Sequence, residues 1–317
     1  MKLIDAYRML IEKGMEADPR GREEIEEALE KQNSEYEKLD EDKKELFDQE
    51  RLWNPYADSR VSYGDEDTEI GTLMWGIDIG TGEAVLADRL REKGRSIDAI
   101  IGHHPIGMGK TIFPEVMNMQ EGMYHELGIP INIAEGMMTK RIDEVGRAVL
   151  GSNYNQAVDA CRLLDIPLMN VHTPTDNLAQ SFLEDYLEEK APRRLENMVD
   201  AIMELPEYRL ATKSNSPPRI IHGKKESSVG KFAVKMTGGT SGPTEIYERL
   251  ADAGIGTVVG MHFPEKHIEE CKKYHINVVI AGHMSSDSLG MNQAADLLEA
   301  EGIEVLPCSG FIRVSRN

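Results

Sequence analysis

Cysteine is nearly missing from this chain. Cys161, Cys271 and Cys308 are the only three in 317 residues. An odd, scattered set excludes a disulfide framework and leads us to expect a reducing, cytoplasmic setting. Long apolar runs are missing as well: no stretch of about 18 apolar residues occurs, so no membrane-spanning helix is expected. The opening Met1-Lys2-Leu3-Ile4-Asp5-Ala6-Tyr7-Arg8 is charged and amphipathic, unlike a secretory leader. Positive charge is in short supply, with 36 Lys and Arg against 56 Asp and Glu. The resulting net charge of −20 repels a phosphate backbone, so general nucleic-acid binding is not expected. The basic doublets Arg193-Arg194 and Lys224-Lys225 are short and read as solvated surface. There is no Walker A loop, no Cys-x-x-Cys pair and no Gly-x-Ser-x-Gly elbow. Gly80-Thr81-Gly82 falls short of a dinucleotide fingerprint.

What the chain does have is histidine at the ends of strands. Three apolar runs read Ile97-Asp98-Ala99-Ile100-Ile101-Gly102-His103-His104, Pro167-Leu168-Met169-Asn170-Val171-His172 and Asn277-Val278-Val279-Ile280-Ala281-Gly282-His283. The second and third each carry an aspartate four residues after the histidine, Asp176 and Asp287. Short apolar runs closed by turn residues suit buried strands of a parallel sheet, and α/β sheets bind ligands beyond the carboxyl ends of such strands. One rim would then gather four histidines and two aspartates, a ligand set for Zn, Mn, Fe or Ni. Adjacent His103 and His104 leave a strand in opposed directions, which suits two ions better than one. The plainer alternatives are a turn-capping histidine pair and, at Asp176, a side chain closing a turn ahead of a helix.

A length of 317 residues suggests about two domains. Residues 1–50 are charged and almost free of strand signals. Leu3, Tyr7, Leu10 and Ile11 recur at helical spacing, and Asp18-Pro19 opens a second helix. We read this segment as an outer helical appendage whose apolar stripe needs a partner. Residues 51–212 form a first α/β unit and residues 213–317 a second, with Lys213-Ser214-Asn215-Ser216-Pro217-Pro218 as the linker. The second unit holds strands at 231–236, 257–260, 277–281 and 303–306, and a helix at 293–300. Each unit places a helix, then a strand, then a histidine at the strand end, which suggests two related halves facing one cleft. The turn Gly238-Gly239-Thr240-Ser241-Gly242 either cradles an anion on its amides or is an ordinary strand-to-helix turn. His262 also ends a strand. His125, His222, His267 and His275 sit among charged residues and are expected at the surface.

Gly-His-His-Pro at 102–105, His-Thr-Pro-Thr-Asp-Asn at 172–177 and Gly-His-Met-Ser-Ser-Asp at 282–287 resemble, in order and spacing, the NIF3-like family, also described as GTP cyclohydrolase I type 2 homologues. The glycine-rich turn at 238–242 falls in the matching place. The resemblance covers about residues 70–317 and implies two α/β units flanking a dinuclear metal cleft. It implies two divalent ions held by His103, His104, Asp176, His283 and Asp287, with His172 in a supporting position behind them. At Asp287 the family usually has glutamate, one methylene longer, so bridging from here requires a closer backbone. His262 stands where the family tends to carry aspartate. The resemblance further implies a toroidal homohexamer and a metal-dependent hydrolase acting on a nucleotide or phosphate-bearing substrate. A non-enzymatic metal-binding or regulatory protein is the alternative.

Overall fold

The computed structural model describes all 317 residues. Nine strands form two sheets: β1 (Arg60–Tyr63), β2 (Thr72–Gly76), β3 (Ala99–Gly102), β4 (Leu168–Asn170), β5 (Arg219–His222), β6 (Lys231–Lys235), β7 (Ile255–Gly260), β8 (Asn277–Ile280) and β9 (Glu304–Cys308). The first sheet has the order β1-β4-β3-β2-β9 and the second β5-β8-β7-β6. In each, the first strand runs antiparallel to its neighbour and the others are parallel. Replacing β1 to β4 by β5 to β8 turns one order into the other. Even the irregularity in the edge strand repeats, between Val61 and Tyr63 and between Ile220 and His222. The mixed α/β architecture with two matched units is as expected.

The last strand is not where its position in sequence suggests. β9 pairs with β2 of the first sheet, in register from Thr72 with Glu304 to Gly76 with Cys308. The helix His283–Ala300 therefore leaves the second sheet and delivers the chain back to the first, tying the units together. On the second sheet, the strand equivalent to β2 has no such neighbour. Instead the Gln180 amide bonds to β6, donating to the Val234 carbonyl (3.0 Å) and accepting from the Met236 N–H (2.7 Å). Two backbone groups near the end of β6 are thus satisfied by a side chain.

The N-terminal segment is only partly an appendage. The helix Leu3–Glu16 buries Leu3, Ala6, Tyr7, Leu10 and Ile11 in the main core, with Trp75 and Ile101 of the first sheet and Met291 and Leu298 of the last helix. Its apolar stripe, legible in the sequence, finds its partner inside the chain. The second helix, Arg22–Glu37, buries only Ile25 and does lie outside. No helix is long and apolar enough to cross a membrane.

Candidate metal centre

The carboxyl ends of strands from both sheets converge on one cleft. After β3 the backbone N–H groups of His103 and His104 donate to the Ile77 carbonyl (3.2 and 2.9 Å), and His103 also to Gly76 (2.9 Å), so both residues are pinned beside the end of β2. After β4 the His172 N–H donates to the Ser59 hydroxyl (3.0 Å), and the helix Thr173–Lys190 begins at once with Pro174 in its first turn. After β8, Gly282 turns the chain at φ +117°, a value that favours glycine, and the helix starts at His283. A histidine at or just before the helix start and an aspartate four residues on lie on one face of the first turn. The two units supply this arrangement twice, as His172 with Asp176 and His283 with Asp287.

Hydrogen bonding fixes how three imidazoles point. The Thr175 hydroxyl donates to the carbonyl of His172 (2.9 Å) or Val171 (3.1 Å), so it accepts from His103 Nδ1 (2.9 Å). His104 Nδ1 donates to Asp78 (2.7 Å) and His172 Nδ1 to the fully buried Asp58 (2.7 Å), which also accepts from the Thr173 hydroxyl (2.7 Å). With Nδ1 committed in each ring, Nε2 faces the cleft, as in metal sites where a second partner orients the ligand histidine.

Around these nitrogens stand two carboxylates. His103 Nε2 is 3.5 Å from Asp176 Oδ1 and 3.6 Å from Asp287 Oδ1. His283 Nε2 is 3.6 Å from Asp287 Oδ1, and His104 Nε2 is 3.9 Å from Asp287 Oδ2. His172 Nε2 is 3.5 Å from Asp176 Oδ2. Such gaps are too long for hydrogen bonds. They match the edge of a ligand tetrahedron, roughly 3.4 Å when each donor lies about 2.1 Å from a central Zn. His103 Nε2, Asp176 Oδ1 and both Asp287 oxygens are buried with no hydrogen-bond partner. Buried polar atoms are seldom left so, and these four are all metal-ligand atoms. The residues present therefore fit divalent cations. Three overlapping triads bring their donor atoms within 4.8 Å of one another: His103, His104 and His172; His104, His283 and Asp287; and His103, Asp176 and Asp287.

Charge supports the same fit. Burial drives the His103 imidazole down to about 4, so it stays neutral, as a ligand must be. Burial lifts the Asp176 carboxyl well above the usual range, against the pull of His172. At Asp287 burial also pushes upward, but His103 and His283 outweigh it and the net direction is down. Burial opposes protonation of His172, yet Asp176 and Asp58 overcome it and raise that imidazole to about 9. Three buried carboxylates, Asp58, Asp176 and Asp287, thus crowd one cleft.

All five residues carried over as ligands meet here. His172, expected behind them, presents Nε2 in the same shell. His262 stacks on His283 with ring centroids 4.9 Å apart and lines the adjoining cavity. Gly239 lines it too, while the Gly238 carbonyl is turned to the Gln120 side chain (2.6 Å). Of the histidines expected at the surface, His267 is buried and its Nδ1 lies 3.1 Å from the Tyr247 hydroxyl. Its charged neighbours Lys266 and Glu269 disguised an inward-facing position. Sequence reading missed Asp58 and Asp78. Asp78 carried a signal, an acid at the end of an apolar strand. Asp58 carried none, since it meets His172 across 114 residues. Asp58→Asn is expected to keep the fold by circular dichroism and to lose roughly 10–100-fold in divalent-metal affinity by calorimetric titration, because the His172 ring loses its orienting carboxylate. Unchanged affinity would make Asp58 a purely structural residue.

No protein-family model matches the chain, and no curated relative does. Among solved structures it is similar to a NIF3 superfamily protein from Sphaerobacter thermophilus, with a TM-score of 0.70 and 29% identity over 80% of this chain and 91% of that one. It also resembles reduced HcgD from Methanocaldococcus jannaschii, with a TM-score of 0.50 and 15% identity over 78% of this chain and 87% of that one, a likeness of fold alone.

Proposed function

We propose that this chain, which belongs to the NIF3-like family, holds two divalent metal ions and serves as a metal-dependent hydrolase of a nucleotide or other phosphate-bearing substrate. The observation that carries the reading is Asp287. Its two oxygens are buried, have no partner in the chain, and lie among the imidazoles of His103, His104 and His283. One ion would draw on His103, Asp176 and Asp287, with His172 beside Asp176. The other would draw on His104, His283 and Asp287. A bound metal pair supplies Lewis acidity and a water acidic enough to ionise near neutral pH.

The chain's own residues shape what reaches that centre. A cavity of about 430 Å³ opens onto His104, His172, Asp176 and His283, a size suited to a small organic ligand. Access of this kind favours chemistry over metal storage, where ligands close the coordination sphere. The oligomer implied by the family resemblance gains nothing from the N-terminal apolar stripe, which is spent inside the chain. The test is metal content. Protein reloaded with Zn or Mn is expected to hold two ions per chain, on the order of 3.5–4 Å apart by anomalous scattering. A single ion, or none after reloading, would refute the dinuclear reading. A phosphoester and nucleotide screen that found no turnover by the two-metal protein would leave the non-enzymatic alternative in its place.

A further inference from the structure

Another part of the same cavity is built differently from the metal ligands. It is lined by Lys235, Arg141 with Glu144 beside it, the turn residues Thr237 and Gly239 to Ser241, and the apolar Phe113, Met261 and Phe263. In a chain of net charge −20, Lys235 forms no ion pair. Its half-buried ammonium donates to the Tyr124 hydroxyl (3.0 Å) and lies 5.1 and 5.9 Å from the ring centres of Tyr124 and Tyr247. One of its three N–H bonds is used and two remain. Arg141 donates through Nε to the Ser241 carbonyl (2.9 Å) and forms an ion pair through Nη1 with Glu144 (3.4 Å), leaving Nη2 uncommitted. The combined cations are felt nearby: burial first, then Lys235 and Arg141, hold the His267 imidazole down at about 4.

The turn itself is rigid and oriented. The Gln120 amide donates to the carbonyls of both Gly238 (2.6 Å) and Thr240 (2.7 Å), while its own oxygen accepts from Tyr124 (3.0 Å). In a trans peptide the N–H points opposite to the preceding carbonyl. With both carbonyls turned to Gln120, the amides of Gly239 and Ser241 point the other way, and neither has an acceptor in the chain. Glycine is required for this. Gly238 and Gly239 sit at φ +94° and +80°, and a Cβ would meet Gln120 Cγ at 2.7 Å and Val116 Cγ1 at 2.9 Å. One hydrogen-bonded relay, Lys235 to Tyr124 to Gln120 to the turn, therefore presets ammonium and amides together.

We infer that this part of the cavity is an anion subsite in which Lys235, Arg141 and the amides of Gly239 and Ser241 hold the phosphate of a phosphomonoester, whose apolar body lies along Phe113, Met261 and Phe263 toward His104 and His283. The inference deepens the proposed hydrolase reading and defines its substrate class: a small phosphorylated molecule anchored by its phosphate away from the metal ligands. Lysine, arginine and free backbone amides lining one cavity are a common phosphate-binding set.

The test uses the full-length metal-loaded protein, titrated calorimetrically with adenosine 5′-monophosphate and with adenosine. The monophosphate is expected to bind at least about tenfold more tightly, and Lys235→Gln to remove that preference, since a hydrogen bond to a charged group is worth about that factor. Lys235→Arg should keep most of it. Both variants should retain the wild-type metal count, which separates failure here from failure of the metal reading. The preference should also survive removal of the metals with a chelator. Monophosphate affinity that is unchanged in Lys235→Gln but lost on chelation would place the phosphate on the metals and overturn the inference. So would equal affinity for nucleotide and nucleoside, or no binding of either at millimolar concentration.

Discussion

Asp287→Ala is expected to bind at most one divalent ion per chain, with a fold indistinguishable from the parent by circular dichroism. The carboxylate donates nothing to the architecture. Neither oxygen has a hydrogen-bond partner in the chain, and the side chain is almost fully buried. Removing it takes away a buried charge whose close neighbours are the imidazoles of His103, His104 and His283 and the Asp176 carboxylate. Without metal, the variant should lie close to the parent in stability, since the imidazoles of His103 and His283 offset the cost of burying this carboxylate. With metal the parent should be clearly the more stable. A ligand present at about 100 times its dissociation constant adds roughly 2.7 kcal/mol of stability, and the variant forfeits that share for each ion it fails to bind. Paired thermal melts with and without Zn, together with metal stoichiometry, read both halves of the expectation. Two ions bound with parental affinity would remove Asp287 from the ligand set. Asp287→Glu has an added methylene to place in a packed site whose oxygens already face all three imidazoles. Overpacking of that kind costs about 1–3 kcal/mol, so it should weaken rather than improve the parent.

What the sequence could reveal followed from locality. Gly102-His103 and Gly282-His283 close short apolar runs, so strand, turn and histidine are all encoded within a few residues, and the structure places them as expected. The partners those residues meet were harder. The stripe Leu3, Tyr7, Leu10 and Ile11 announces an amphipathic helix but not what covers it. The covering surface is assembled from strands β2, β3 and β4 and from the last helix, nearly 300 residues away. The His283–Ala300 helix starts ten residues before the helix expected at 293–300. Its first turns contain Ser285, Ser286, Ser288 and Gly290, all weak helix formers, and packing against Thr173–Lys190 overrides that preference. β9 was expected in the second unit on chain proximity, yet the helix before it crosses between sheets. Asp58 shows the limit most plainly. Its carboxylate is one hydrogen bond from His172, and nothing in the residues around either one points to the other.

Gly290→Ala is the smallest change expected to damage both fold and site. Here the His283–Ala300 helix crosses Thr173–Lys190 with backbone against backbone. A Cβ on residue 290 would fall on the Thr175 carbonyl oxygen, 2.8 Å from the Thr175 carbonyl carbon and 3.2 Å from Ala179 Cβ. A flexible side chain could swing aside, but a helical carbonyl cannot, so the two helices must part. Asp176 follows Thr175 directly, and Asp287 lies one turn before Gly290. Parting the helices therefore pulls the two carboxylates away from each other and from His103, whose Nε2 lies 3.5 and 3.6 Å from them. The same contact bears on the reach of Asp287: without a side chain at 290, the backbone carrying it comes close enough for a short carboxylate to face His103, His104 and His283. Strain of this kind is expected to cost about 3 kcal/mol, the upper end for overpacked cores, seen as a lower urea midpoint with an unchanged slope. Divalent-metal affinity should fall as well, in the folded protein below the transition. Ala179→Gly added to Gly290→Ala should not restore either property, because the obstructing atoms belong to the Thr175 peptide group and not to the Ala179 methyl. A Gly290→Ala protein with parental midpoint and parental metal binding would show that the helices have room to spare and that the reach of Asp287 has another origin.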